Sequence, residues 1–367
     1  MKSVKIILLF LFLFSLQSCG GEDNYFISID IEQPDTDSTG NNNDDGNDED
    51  NDGDDNDGDN DNSGTSTPGG ILTSTKSYLY IDEISTDGMA HQSAACYGDY
   101  AFLISNKMIN VRVFNMRTNT RVFDLRNQTP LGTGTIYHCN QACFGTQKYS
   151  EEDPFPLLYI SQHQNKSNRS FIQVFRVLPT SAGSGQEYTA FAFEKIQTIF
   201  FPVLTDDNSL GNVNAVIDTD NHFIYTYSRN NNSTAENYGK CKISKFKIPD
   251  ALESASVILS DEDILDSFFI ETSAINMQGG AYHDGLLYIG RGVPSAGYVN
   301  LYVVDLFNRR LWFTVDLLNN GFRYEPEGAF FYKDNLYIGA SSRIFRFTFK
   351  YENSSAKAIA VPFEMPE

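Results

Sequence analysis

Tryptophan is nearly missing from this 367-residue chain, which has one, and histidine is scarce at five. Basic residues are few, with 27 Lys and Arg against 48 Asp and Glu. Binding to the phosphate backbone of nucleic acid needs clustered positive charge, so no nucleic-acid partner is expected. No Gly-x-Ser-x-Gly elbow, phosphate-cradling Gly-rich loop, His-Glu-x-x-His helix or Cys-His nucleophile pattern occurs, which removes the common single-motif enzymes. No cofactor is implied. Five cysteines without paired zinc-ligand spacing imply neither a zinc ribbon nor a disulfide-stapled mini-domain, and a domain this large needs no staples. Helical periodicity is also lacking, except at 261–270, where a short helix is the expectation.

One apolar run is present, at the start. Lys2 and Lys5 precede an apolar Ile6 to Leu16, which as a helix would rise only about 17 Å, short of a hydrocarbon core of about 30 Å. It reads as a signal segment. Leu16-Gln17-Ser18-Cys19 resembles a lipobox, in which Cys19 takes a diacylglycerol before cleavage, and Gly20-Gly21-Glu22-Asp23 resembles the acidic export tag of Bacteroidota surface lipoproteins. These resemblances imply a signal peptide over 1–18, a lipidated segment over 19–34, palmitate-type acylation and outer-membrane anchoring facing the cell exterior. The membrane is then a partner through the lipid.

Residues 35–70 are Asp, Asn, Gly, Ser and Thr with almost nothing apolar, and read as a disordered linker. They account for most of the formal charge of −21: thirteen acids fall in 35–63 with no base, and residues 1–34 carry −2, which leaves −6 for 64–367. Asp48 to Gly53 matches the opening of an EF-hand loop, but Asp59 stands at the twelfth position and no helical pattern flanks it, so no metal site is expected there.

From 71 to 367 the pattern is short apolar or alternating runs punctuated by Gly, Asn and Asp, the signature of strands and hairpins. The runs repeat. His91-Gln92-Ser93-Ala94-Ala95-Cys96-Tyr97-Gly98 returns 47 residues later as His138-Cys139-Asn140-Gln141-Ala142-Cys143-Phe144-Gly145. Gln278-Gly279-Gly280-Ala281 through Leu287-Tyr288-Ile289 returns 49 residues later from Glu327-Gly328-Ala329 to Leu336-Tyr337-Ile338, and Asn214 opens a fifth, weaker copy. Each copy is a polar residue, a small pair, a turn and an aromatic-aliphatic strand. Small residues suit inner strands crowding a central axis, so the expected fold is an all-β, five-bladed β-propeller, with six or seven blades as alternatives. The strand from Lys76 to Ile84 lacks a partner and the last copy lacks a fourth strand, so the two are expected to pair and close the ring. The Gln-Gly and Glu-Pro-Glu-Gly openings with Leu-Tyr-Ile-Gly following resemble extracellular bacterial β-propellers, a likeness that specifies fold better than activity.

On such a ring the openers His91, Gln92, His138, Asn140, Asn214, Gln278 and Glu327 fall at one channel mouth. They are the expected ligand-binding set, for a glycan or protein bound without catalysis, unless they serve only to satisfy one another. Two alternatives stay open. One is a metal-assisted hydrolase or lyase using Glu327 with His91 and His138; the other is a structural subunit of an outer-membrane complex. Glu325 and Glu327 flank Pro326 and would need glycosidase spacing for acid-base work. With a single Trp, sugar stacking would fall to Tyr97, Tyr282, Tyr324 and Tyr332.

Overall fold

The computed structural model describes residues 77–85, 90–106, 110–125, 138–162, 170–182, 187–202, 213–230 and 232–351. The expectations for residues 1–76, a signal segment, lipidation at Cys19 and an acidic linker, fall outside the described residues.

Strand β1 (Ser77–Ser85) precedes four antiparallel strands that form blade 1: β2 (Ser93–Tyr97), β3 (Tyr100–Ile104), β4 (Val111–Asn115) and β5 (Thr120–Leu125). Blade 2 follows with β6 (Cys139–Phe144), β7 (Leu158–Gln162), β8 (Phe171–Ala182) and β9 (Tyr188–Phe200). Blade 3 is β10 (Asn214–Asp218), β11 (Phe223–Arg229), β12 (Lys240–Lys247) and β14 (Ile264–Ser273); between the last two, β13 (Ser256–Ile258) leaves to run parallel to β9 on the outside of blade 2. Blade 4 is β15 (Met277–His283), β16 (Leu286–Val293), β17 (Tyr298–Asp305) and β18 (Arg310–Asp316). Blade 5 has three strands of its own, β19 (Gly328–Tyr332), β20 (Asn335–Ala340) and β21 (Arg343–Tyr351).

The fold is a five-bladed β-propeller, and β1 completes it. Residues Ser77 to Ser85 pair antiparallel with Tyr351 to Arg343, without a register shift, and supply the missing outer strand of blade 5. The expected pairing of the two chain ends is therefore present. A ring closed by hydrogen bonds between its ends leaves no half-built blade with an open ladder.

What holds the blades side by side is apolar packing, with one buried cluster at each of the five seams. Phe102, Val113, Phe144, Phe155, Phe175 and Phe191 fill the seam between blades 1 and 2. Ile172, Ile199, Phe201, Ala215 and Phe246 fill that between 2 and 3, and Tyr227, Ile243, Leu287 and Tyr302 that between 3 and 4. Tyr288, Val303, Phe322, Phe345 and Phe347 lie between 4 and 5, while Ala94, Leu103, Phe114, Phe330 and Tyr337 close the ring between 5 and 1. Alternation along each strand sends one set of side chains to the preceding blade and the other to the next.

Residues 261–270 correct one expectation. Only Asp261–Asp263 form a helical turn, of 3-10 type, and Ile264 onward is β14. Phe268, Phe269 and Ile270 pair with Ile243, Lys242 and Cys241 of β12, so aromatic and β-branched side chains seat on a pleated surface where a helical spacing suggested a turn. The four cysteines Cys96, Cys139, Cys143 and Cys241 are free thiols. Cys139 and Cys143 sit on β6 as expected for a strand, and burial pushes the Cys143 thiol up to about 12.

Candidate functional site

The openers occupy the start of each inner strand. β2, β6, β10, β15 and β19 touch in ring order, so their first residues meet round the axis. Backbone crowding there demands glycine. A Cβ on Gly279 would stand 2.3 Å from the Glu327 carbonyl oxygen, and one on Gly328 would stand 2.4 Å from the Ala94 nitrogen. The same approach lets the Gly279 N–H donate to the Glu327 carbonyl at 3.0 Å, while the Glu327 N–H donates to Gly339 at 2.9 Å.

Two bulges re-aim the openers. In β6 the register slips between Cys139 and Gln141, leaving Asn140 as the extra residue, and in β15 it slips between Met277 and Gly280, around Gln278. Asn140, fully buried, donates from Nδ2 to the Met277 carbonyl at 3.3 Å. The Gln141 carboxamide oxygen accepts from the Gly280 N–H at 2.7 Å. Both contacts join blade 2 to blade 4, which are not neighbours, so polar side chains cross the channel at this level. Asn214 Nδ2 and the Tyr227 hydroxyl donate to the Gln278 carbonyl at 3.2 and 2.8 Å, which fixes the Gln278 backbone from blade 3.

Above this layer sit two half-buried carboxylates on either side of the buried Pro326, which packs against Gly290. Gln278 Nε2 donates to Glu325 Oε1, and Gln92 Nε2 donates to Glu327 Oε2. Two glutamine amides from blades 4 and 1 thus hold two carboxylates from the loop that opens blade 5. A carboxylate has about four lone-pair sites, so each can accept more bonds than the one from its glutamine.

The histidines are less central. His91 is buried, with its Nε2 against Gly339, where a Cβ would come within 2.6 Å; its backbone N–H donates to Ser341 at 3.0 Å. His138 is hydrogen-bonded to Asn140, and burial holds its imidazole below the usual histidine range against the opposing pull of that bond. Among the described residues no group of three or more His, Cys, Asp or Glu is placed to hold a metal ion.

The openers do come together in part: Gln92 with Glu327, His138 with Asn140, Asn140 with β15, and Asn214 with Gln278. Gln141 is the cross-channel residue that sequence reasoning missed. Its signal was a long polar side chain standing where the first copy has Ala94, within the small-residue pair. Three of the four tyrosines considered for stacking lie at the other face, since Tyr97, Tyr282 and Tyr332 end or nearly end their inner strands. There Tyr282 donates to Asp220 at 2.7 Å and Tyr332 to Asp99 at 2.9 Å, tying blade 4 to 3 and blade 5 to 1. Tyr324 alone of the four is beside the mouth.

His138 gives a pH expectation. A base whose folded pKa is lowered binds fewer protons in the native state than when unfolded, so native stability is full above the unfolded value of about 6.5 and declines as pH falls below it. Thermal melts of the wild type should shift downward from pH 7 to pH 5. In His138→Gln that part of the shift should shrink; equal slopes in both proteins would contradict the assignment.

No protein-family model matches the chain, and no curated protein matches it in sequence. Among solved structures it is similar to the glutaminyl cyclase of Myxococcus xanthus, at 8% identity and TM-score 0.42, over 76% of this chain and 98% of that one. It is similar to a computationally designed protein, Ika8, at 9% identity and TM-score 0.32, over 72% of this chain and 98% of that one. A luciferin-regenerating enzyme is similar at 10% identity and TM-score 0.34, over 73% of this chain and 76% of that one. At these identities and scores the likeness says nothing of chemistry.

Proposed function

We propose that the chain is a surface lipoprotein, tethered through Cys19, whose propeller binds a ligand at the channel mouth without catalysis, and that the ligand is a glycan in preference to a protein. One observation carries the reading: two half-buried carboxylates, Glu325 and Glu327, come together with glutamine amides that reach them from other blades. Carboxylate acceptors beside amide donors form the alternating pattern that sugar hydroxyls, which both donate and accept, can join. The buried layer of Asn140, Gln141 and Asn214 beneath them gives the mouth a rigid polar floor.

Calorimetric titration of the full chain with hexasaccharides of differing backbone and charge tests the reading. At least one should bind saturably and be recovered unhydrolysed. Glu327→Ala should weaken it by roughly 10- to 100-fold, the equivalent of losing a hydrogen bond to a charged group. Binding that survives Glu327→Ala and Gln92→Ala together, or release of shorter sugars, would contradict it. The anchor has its own test: the wild type should partition into detergent and incorporate labelled palmitate, and Cys19→Ala should do neither.

A further inference from the structure

Three arginines lie at the mouth end of three successive blades, and each is stacked on a tyrosine. The strand register fixes their level. Arg291 is the partner of Met277 at the start of β15; Arg229 ends β11, two residues past Tyr227, the partner of Asn214; Arg343 starts β21 opposite Ala340, next to the Gly339 that pairs with Gly328. The Arg229 guanidinium carbon stands 5.3 Å from the Tyr238 ring centre, that of Arg291 4.2 Å from Tyr298, and that of Arg343 5.3 Å from Tyr324.

The stacking is built, not incidental. Arg291 Nε donates to the Ile275 carbonyl at 3.2 Å, and Asn276 Nδ2 donates to the Tyr298 hydroxyl at 3.3 Å, so both members of that pair are fixed. Arg229 Nη2 and Arg343 Nη1 each donate to the hydroxyl of the tyrosine beneath. All three arginines are half-buried, as are Tyr298 and Tyr324, and Tyr238 is 46% exposed. A guanidinium already held against a tyrosine gives up little side-chain entropy when it grips an anion, and its planar fork matches a carboxylate in two parallel bonds. The tyrosine rings beside it offer apolar faces to sugar rings.

From this arrangement we infer that the mouth takes an acidic glycan, its hydroxyls on Glu325 and Glu327 and its carboxylates on Arg229, Arg291 and Arg343 along blades 3 to 5. The inference rests on the glycan reading above and narrows it to a charge class. It also resolves an apparent conflict, since the two glutamates repel a carboxylate from the axis and leave it the rim.

The test uses the full chain and two probes that share one backbone: a hexamer of galacturonic acid and the same hexamer fully methyl-esterified. The acid form should bind at least about tenfold more tightly, with an affinity that falls as sodium chloride is raised from about 0.05 to 0.5 M. Arg291→Gln and Arg229→Gln should each cost the acid form about tenfold more than they cost the ester. Arg291→Lys should recover only part of that loss, because charge returns without the fork. Far-UV circular dichroism and melting temperature check that each variant is folded, and each variant's ester affinity serves as its internal reference. Equal affinity for both forms would overturn the acidic class while sparing the glycan reading. Binding of neither form, but of another neutral hexasaccharide, would do the same. If poly-aspartate displaces the acid hexamer and no saccharide binds more tightly than it, both the class and the glycan reading fall.

Discussion

Gly328→Ala should leave little folded protein, although it adds a single methyl group. That carbon would stand 2.4 Å from the Ala94 nitrogen, 2.8 Å from the Ser93 carbonyl carbon and 2.9 Å from the Ser93 Cα, all of them backbone atoms of the neighbouring inner strand. A flexible side chain could swing away; a hydrogen-bonded strand cannot. β2 is paired with β3 along its whole length, and β19 with β20, so relief requires blades 1 and 5 to separate at the seam where the ring closes. Overpacking a core costs about 1–3 kcal/mol when side chains can adjust; here the cost should reach the top of that range or exceed it. Gly98→Ala is the comparison. Gly98 has φ of +56° with nothing within 4 Å of the added carbon, so its cost is conformational, about 1–2 kcal/mol. Urea denaturation should place Gly328→Ala well below Gly98→Ala in midpoint. If the order is reversed, the inner strands are not packed backbone to backbone.

That glycine was legible in the sequence, and the reason is physical. An inner strand must be narrow, so the small pairs Ala94-Ala95, Gly279-Gly280 and Gly328-Ala329 recur where blades converge, and their recurrence gave both the blade count and the boundaries. The pairing of β1 with β21 could be read by counting strands, since one was left over at the start and one was missing from the last copy. The candidate site was legible only as membership. Gln92 and Glu327 could be set on one mouth, but that they touch depends on a fit between side chains 235 residues apart. Asn140 reaches the channel through a bulge, and a bulge shifts register by one residue without a sequence mark of its own. β13 was invisible for another reason: Ser256-Val257-Ile258 is too short to show alternation, and it becomes a strand because β9 presents an edge to it. The Arg-Tyr pairs escaped because their members are separated by 7 to 19 residues across a turn or a strand connection.

Blade 2 departs from its sisters in a way that singles out Phe102. β8 and β9 run to 12 and 13 residues, against 5 to 8 for the first three strands of blades 1, 3 and 4, so their hairpin overshoots its own sheet. The overshoot folds against blade 1: the Tyr188 N–H donates to the Tyr100 hydroxyl at 2.9 Å, and Glu187 accepts from Asn115 and Arg117 at 3.2 and 2.9 Å. Phe102, with no exposed surface, is the ring on which the arm rests. Its centre lies 5.2 Å from Phe144, 5.4 Å from Phe191, 5.7 Å from Phe155 and 6.3 Å from Phe193, each near edge-on. Phe102→Ala should therefore cost about 3–5 kcal/mol, the loss of buried area plus a cavity that four rings cannot collapse to fill. Against a total of about 5–15 kcal/mol, that is a large share of the stability. Phe307→Ala, at a position 83% exposed, should stay within about 0.5 kcal/mol. Trp312 adds a second readout, because it sits on β18 in blade 4, away from the seam between blades 1 and 2. If the ring unfolds as one unit, Phe102→Ala should move the Trp312 fluorescence transition and the far-UV transition by the same amount of denaturant. A Trp312 transition that stays at its wild-type midpoint would mean that the blades come apart one at a time, as in an open repeat array, and that the clasp between β1 and β21 does not couple the whole ring.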